Sequence, residues 1–162
     1  MPSVEEDCVL KVETKEPPER FFEDFTEGQE LPTVIKGPMM VGHQVRWAGA
    51  CDNYDSEFHH DEYVAKAQGL PGIILSGPLM ASLLLTTVTN EWLGRRARLV
   101  RFFDQNRGST MPRDLAHLKG RIKRTFEENG EAFVEVECSI VNQKGEVTTP
   151  GLALAALPKR AR

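Results

Sequence analysis

The sequence predicts an α+β fold in which one long buried helix is wrapped by a curved antiparallel sheet. Three observations lead there. The run Pro78 to Trp92 is apolar almost all round, with Leu79, Met80, Leu83, Leu84, Leu85 and Val88, so it has no face to give to water. Ala132 to Asn142 alternates with a period of two, setting Val134, Val136, Cys138 and Ile140 against Glu135, Glu137 and Ser139. Glu128-Asn129-Gly130 separates that run from the one before it, and Asn-Gly between two alternating runs signals a type I′ hairpin.

The elements follow in order. Residues 1–19 are acidic and contain prolines; they read as a flexible arm, with Val9, Leu10 and Val12 as its one short strand candidate. A single domain is expected over 20–158, followed by a basic tail at 159–162. Gly28 and Pro32 mark a turn before a short strand from Thr33 to Lys36. Val41 to Asp52 reads as a short helix, since Val45, Ala48 and Cys51 or Asp52 repeat with helical spacing. Residues 53–60 form a polar loop. Asp61 to Gln68 is a second short helix, with Asp61 near its start and Gly69 just past its end. Leu70-Pro71-Gly72 breaks the chain again. In the central helix Pro78 suits the first turn and Gly94 the C-terminal cap, which puts Gly77 at or beside the N-cap. Strands are expected at Arg98 to Gln105, with Leu99, Arg101 and Phe103 opposing Val100 and Phe102. Three more are expected at Leu115 to Phe126, Ala132 to Asn142 and Glu146 to Leu157, the last entered through Gln143-Lys144-Gly145.

Composition narrows the function classes. A chain of 162 residues, 40% hydrophobic and 27% charged, is enough for one cored domain. A net charge of −4 argues against nucleic-acid binding, which calls for a basic patch. Cys8, Cys51 and Cys138 are scattered and odd in number, so neither a disulfide framework nor a structural zinc site is expected. No apolar run approaches the roughly 20 residues of a membrane span. The opening MPSVEEDC lacks a basic segment followed by an apolar one, so no secretory leader is expected and a reducing cytoplasmic setting is.

Chemistry concentrates between Trp47 and Leu79. That stretch holds Asp52, Asn53, Asp55, the adjacent His59 and His60, and Ser76-Gly77 ahead of the apolar helix. Phe21-Phe22-Glu23-Asp24-Phe25-Thr26-Glu27-Gly28-Gln29 resembles the opening of MaoC-like dehydratases, the R-specific enoyl-CoA hydratases of hot-dog fold. His59-His60-Asp61-Glu62 and Ala65-Lys66-Ala67-Gln68-Gly69-Leu70-Pro71-Gly72 continue the resemblance. Met111-Pro112-Arg113-Asp114-Leu115 is similar to the family's later strand opening. The resemblance covers about residues 20–157. The loop from Asp52 to Phe58 is one residue longer than the family pattern, and Ser76 stands where a histidine is usual.

The resemblance implies a hot-dog fold and water addition or removal across the 2,3 double bond of an acyl thioester, within fatty acid metabolism. It places His59 as the catalytic histidine, and it sets Asn53 or Tyr54 at the family's acid position; Asp55, four residues before His59, and Asp52, seven before it, are the candidate acids that the longer loop could bring to the water. It places Gly77, 18 residues after His59, as the glycine whose amide contacts the thioester carbonyl, with Ser76 and Asn53 beside the substrate. The chemistry fits these residue types. A carboxylate and an imidazole can activate one water and deliver a proton, and an amide at a helix N-terminus favours developing negative charge. No metal or other cofactor is implied. The expected partners are an acyl-CoA or acyl-carrier-protein thioester and further copies of the chain, in a homodimer or larger homo-oligomer, with no nucleic acid and no membrane. Arg95, Arg96, Arg98, Arg101 and Arg107 are either phosphate ligands or a solvated face. Two other readings stay open: a catalytically silent hot-dog subunit that binds acyl thioesters or completes a heteromeric hydratase, and an acyl-CoA thioesterase. His60 is expected to be structural, Trp47 and Trp92 to be core or interface, and Cys51 to lack an activating partner.

Overall fold

A computed structural model describes residues 16–52 and 56–161. The expected strand at Val9, Leu10 and Val12 lies outside them. Strands β1 (Glu30–Lys36), β2 (Arg98–Asp104), β3 (Ala116–Glu128), β4 (Glu131–Val141) and β5 (Val147–Leu157) form one antiparallel sheet in the order β1-β3-β4-β5-β2. Helices α1 (Val41–Cys51), α2 (Glu62–Ala67) and α3 (Gly77–Thr86) all lie between β1 and β2 in the chain. The α+β expectation holds: α3 is the central helix, and the sheet packs around it.

Local chemistry accounts for most of the elements. Asn129 and Gly130 have φ of 51° and 80°, the paired left-handed conformations that a type I′ turn between β3 and β4 requires. On β4, Val134, Val136, Cys138 and Ile140 are buried as the alternation predicts. Glu135, expected on the solvent face, is buried as well. The Arg124 guanidinium at 3.1 Å and the Lys123 ammonium at 3.6 Å supply the charge partners that burial demands. Lys159 pairs with Glu127 and Arg160 with Asp24, so the basic tail is tied to the domain by ion pairs.

Two further expectations need correction. The central helix does not run unbroken to Trp92. It is α-helical to Thr86 and π-helical from Thr87 to Trp92, where Leu93 N–H bonds the Val88 carbonyl. Thr86, Thr87 and Thr89 donate their hydroxyls to carbonyls one turn back, at 2.8–3.1 Å, which competes with the backbone ladder. Widening the last turn keeps Trp92 on the same face as Met80, Leu84 and Val88, all buried. In β2, the expected opposition of Leu99, Arg101 and Phe103 to Val100 and Phe102 is broken by an irregularity between Leu99 and Arg101. Leu99 and Phe102 therefore both pack on the core, while Val100 and Phe103 turn outward.

The sheet floor under α3 is built from small residues. Gly120 pairs with Cys138 and Cys138 with Gly151, which sets a low row across three adjacent strands. A Cβ on Gly151 would sit 3.1 Å from Leu84 Cδ2. One on Gly120 would sit 2.6 Å from Trp92 Cζ3. The Trp92 ring is held by its Nε1–H bond to the Pro32 carbonyl at 2.8 Å and is 3% exposed, so it cannot swing away. Gly120→Ala is therefore expected to lower stability by about 1–3 kcal/mol through overpacking. Denaturant melts should show that penalty shrinking in a Trp92→Leu background, and an equal penalty in both would mean the ring is not the obstacle.

Candidate active site

Two anchors hold the start of α3. From α1, the Gln44 side chain, 1% exposed, accepts the Ser76 N–H at 3.0 Å. Ser76 is the N-cap, its own hydroxyl accepting from Leu79 N–H at 3.4 Å and its carbonyl from Met80 N–H at 3.2 Å. Pro78 has no N–H. Of the amides that open the helix, Gly77 N–H is the one with no hydrogen bond among the described residues. Unpaired amides at a helix start attract negative charge.

His59 ends a single 3-10 turn, Glu57–His59, ahead of α2. Asp61 starts α2 by accepting Tyr63 N–H and Val64 N–H at 2.8 and 3.1 Å. The His59 Nδ1 lies 2.7 Å from the Ile74 carbonyl. A carbonyl only accepts, so Nδ1 carries the hydrogen and the neutral ring presents a bare lone pair at Nε2. The Phe58 ring, 4.2 Å away between centroids, flanks the imidazole. An imidazole held in this tautomer by its neighbour can accept a proton at Nε2.

His59 and Gly77 line one cleft of about 390 Å³, with Ile74, Met80, Asn106 and Arg107 among its other walls. The last two come from the β2–β3 connection. That segment is pinned at the end of β5 by Gln105 N–H to the Pro150 carbonyl at 3.0 Å and Arg107 N–H to the Thr148 carbonyl at 2.8 Å. A larger hollow of about 490 Å³ lies beside Phe103, Lys119, Glu137 and Cys138. It contains no imidazole, and burial pushes the Cys138 thiol up to about 12, which leaves it inert as a nucleophile. Of these two, the smaller cleft is the one that holds an imidazole.

The expected site residues divide. His59 and Gly77 meet in the cleft. Ser76 is buried beneath it as the helix cap and does not line it. Asp52 is the exposed C-cap of α1, with φ of 50°, and is not a cleft residue. Asn53 and Asp55 lie outside the described residues. Among the described residues no carboxylate lines the cleft, and no three His, Cys, Asp or Glu side chains are grouped to hold a metal ion. The arginine cluster is mostly spent on ion pairs: Arg95 and Arg96 with Glu19, and Arg98 with Glu131. Arg107 alone of the five reaches the cleft, its guanidinium is held by neutral Gln105 at 2.8 and 3.1 Å, and it has no carboxylate partner among the described residues. Gln44 and Asn106 were not expected. A polar residue on the inward face of an amphipathic helix is a faint signal for Gln44; nothing local in the sequence marks Asn106.

At the level of sequence, no family model and no curated relative matches the chain. Solved structures do. R-hydratase PhaJ1 from Pseudomonas aeruginosa superposes with a TM-score of 0.77 at 14% identity, covering 86% of each chain. The MaoC-like dehydratase from Rhodospirillum rubrum gives 0.75 at 22% identity, over 89% of this chain and all of that one (100%). A chain of the ChsH1–ChsH2 complex from Mycobacterium tuberculosis gives 0.71 at 19% identity, over 82% and 98%. At these identities the likeness is one of fold, and at that level the resemblance read from the sequence is borne out.

Proposed function

We propose that this chain, which has the hot-dog fold of the (R)-hydratases and MaoC-like dehydratases, adds water to or removes it from an acyl thioester at C2–C3. One observation carries the reading: a tautomer-fixed imidazole and a helix-start amide with no partner among the described residues line the same cleft. In the hydration direction His59 Nε2 accepts a proton as the water oxygen bonds to C3. The double-bond electrons move toward the thioester carbonyl, whose oxygen gains enolate charge opposite Gly77 N–H. The enolate then takes a proton at C2, and the same imidazole, now protonated, is placed to return it. Dehydration is the reverse. Asp55 is proposed to share the water with His59. Asp52, the other candidate, needs the end of α1 to reorganise before it reaches the cleft. Arg107 is proposed to meet a phosphate of CoA or of a carrier-protein arm at the mouth. The bare edge of β2, with Val100 and Phe103 exposed, is proposed to pair with a second copy.

A second reading is kept because Asp52, one of the two candidate acids, caps α1 outside the cleft: a silent subunit that holds a thioester for an active partner. The purified chain should consume crotonyl-CoA, followed by loss of its enoyl absorbance, without release of free thiol. Thiol release would point to a thioesterase. A folded chain that consumes no enoyl thioester would leave the silent subunit.

A further inference from the structure

We infer that Asn106 is a second oxyanion donor of this cleft, acting with Gly77 N–H on the thioester oxygen; the inference rests on the thioester-binding reading above. The Asn106 carboxamide occupies the space a side chain at position 77 would take. A Cβ built on Gly77 would meet Asn106 Nδ2 at 2.1 Å, Cγ at 2.7 Å and Oδ1 at 3.1 Å. Glycine at 77 is thus what lets the amide group close over the start of α3. A Cβ lies about 2.5 Å from its own backbone nitrogen, so Nδ2 and the Gly77 nitrogen are at most about 4.6 Å apart. Two N–H donors at that separation can both reach one oxygen at about 2.9 Å.

Three further features fit a donor rather than a spacer. The Asn106 carboxamide makes no hydrogen bond among the described residues, so its NH₂ is free for a ligand. Its backbone neighbours Gln105 and Arg107 are both tied to β5, so the backbone that carries the exposed Asn106 side chain is fixed beside the cleft. The other wall residues nearest Gly77, Pro78 and Met80, offer no N–H from their side chains. A hole with one backbone and one side-chain donor compensates for a helix start at which Ser76 is turned inward as a cap.

Asn106→Ala should lower kcat for crotonyl-CoA hydration about 10- to 100-fold, less than a fully buried oxyanion donor is worth. KM should stay within about threefold, because the bond strengthens as charge develops. Asn106→Asp should lose more, since its carboxylate faces the enolate. A second measurement does not need turnover. Acetoacetyl-CoA forms an enolate with its own ultraviolet band, and the wild-type cleft should lower the pH at which the bound ligand enolises. Asn106→Ala should move that midpoint back by about one pH unit for each tenfold loss of enolate affinity. If wild type turns over and Asn106→Ala matches it in kcat and in enolisation midpoint, Asn106 is not a donor and the hydratase reading survives. If wild type does not turn over but the midpoint shifts in the variant, the donor survives and the hydratase reading falls. If wild type neither turns over nor alters enolisation, both fall.

Discussion

His59→Asn is expected to reduce enoyl thioester hydration by about 10²- to 10⁴-fold, the range general acid–base groups contribute, while leaving the fold intact. Asparagine is the informative choice. Its Nδ2 can stand where the imidazole Nδ1 stands and donate to the Ile74 carbonyl, the one hydrogen bond the ring makes among the described residues. What it lacks is any atom equivalent to Nε2. Stability should therefore change by less than the roughly 1 kcal/mol a neutral hydrogen bond contributes. For a chain of this size that is a shift in Tm of about 3 °C or less. His59→Ala removes both nitrogens and should lose the same activity but also the tie to Ile74, so its Tm should fall further than that of the asparagine variant. Purified His59→Asn that keeps its rate within about threefold of wild type would remove His59 from the chemistry, and with it the observation on which the function rests.

The legible parts of the molecule are those decided by neighbours in the chain. Asn129-Gly130 could only be a tight hairpin, and both residues have the required positive φ. Helix α1 lies where the spacing of Val45, Ala48 and Cys51 puts it, and Asp61 and Gly69 bracket α2. The start of α3 was written in Ser76-Gly77-Pro78, though the serine turned out to cap the helix instead of facing the cleft. The illegible parts depend on distant partners. The phase change in β2 is set by pairing to β5, and Glu135 is buried because β3 brings it two cations. Gln44 meets Ser76 across 32 residues of chain, and Asn106 reaches Gly77 only because Thr148 and Pro150 hold its loop. The site shows the same division: His59 and Gly77 carry local signals, and the groups that orient or complete them do not.

That division assigns separate jobs to the two ends of α3, and it can be tested at the seat of the helix. Leu84 is fully buried, in the last turn of α3, and its Cδ2 rests over Gly151 beside the Cys138 thiol. Leu84→Ala removes three carbons from a floor made of small residues and backbone, which cannot collapse inward to refill the space. The expected loss is about 2–5 kcal/mol, a large share of the roughly 5–15 kcal/mol that holds a typical domain together. The corresponding drop in Tm is about 6–15 °C. Activity measured well below the transition should nevertheless stay near wild type, because Gln44 fixes the start of α3 independently through Ser76 N–H. A Leu84→Ala protein with unchanged Tm would mean that the Gly120–Cys138–Gly151 row does not set the position of the helix. A stable variant with a collapsed rate would mean that the cleft is positioned by the core of α3 and not by the α1 anchor.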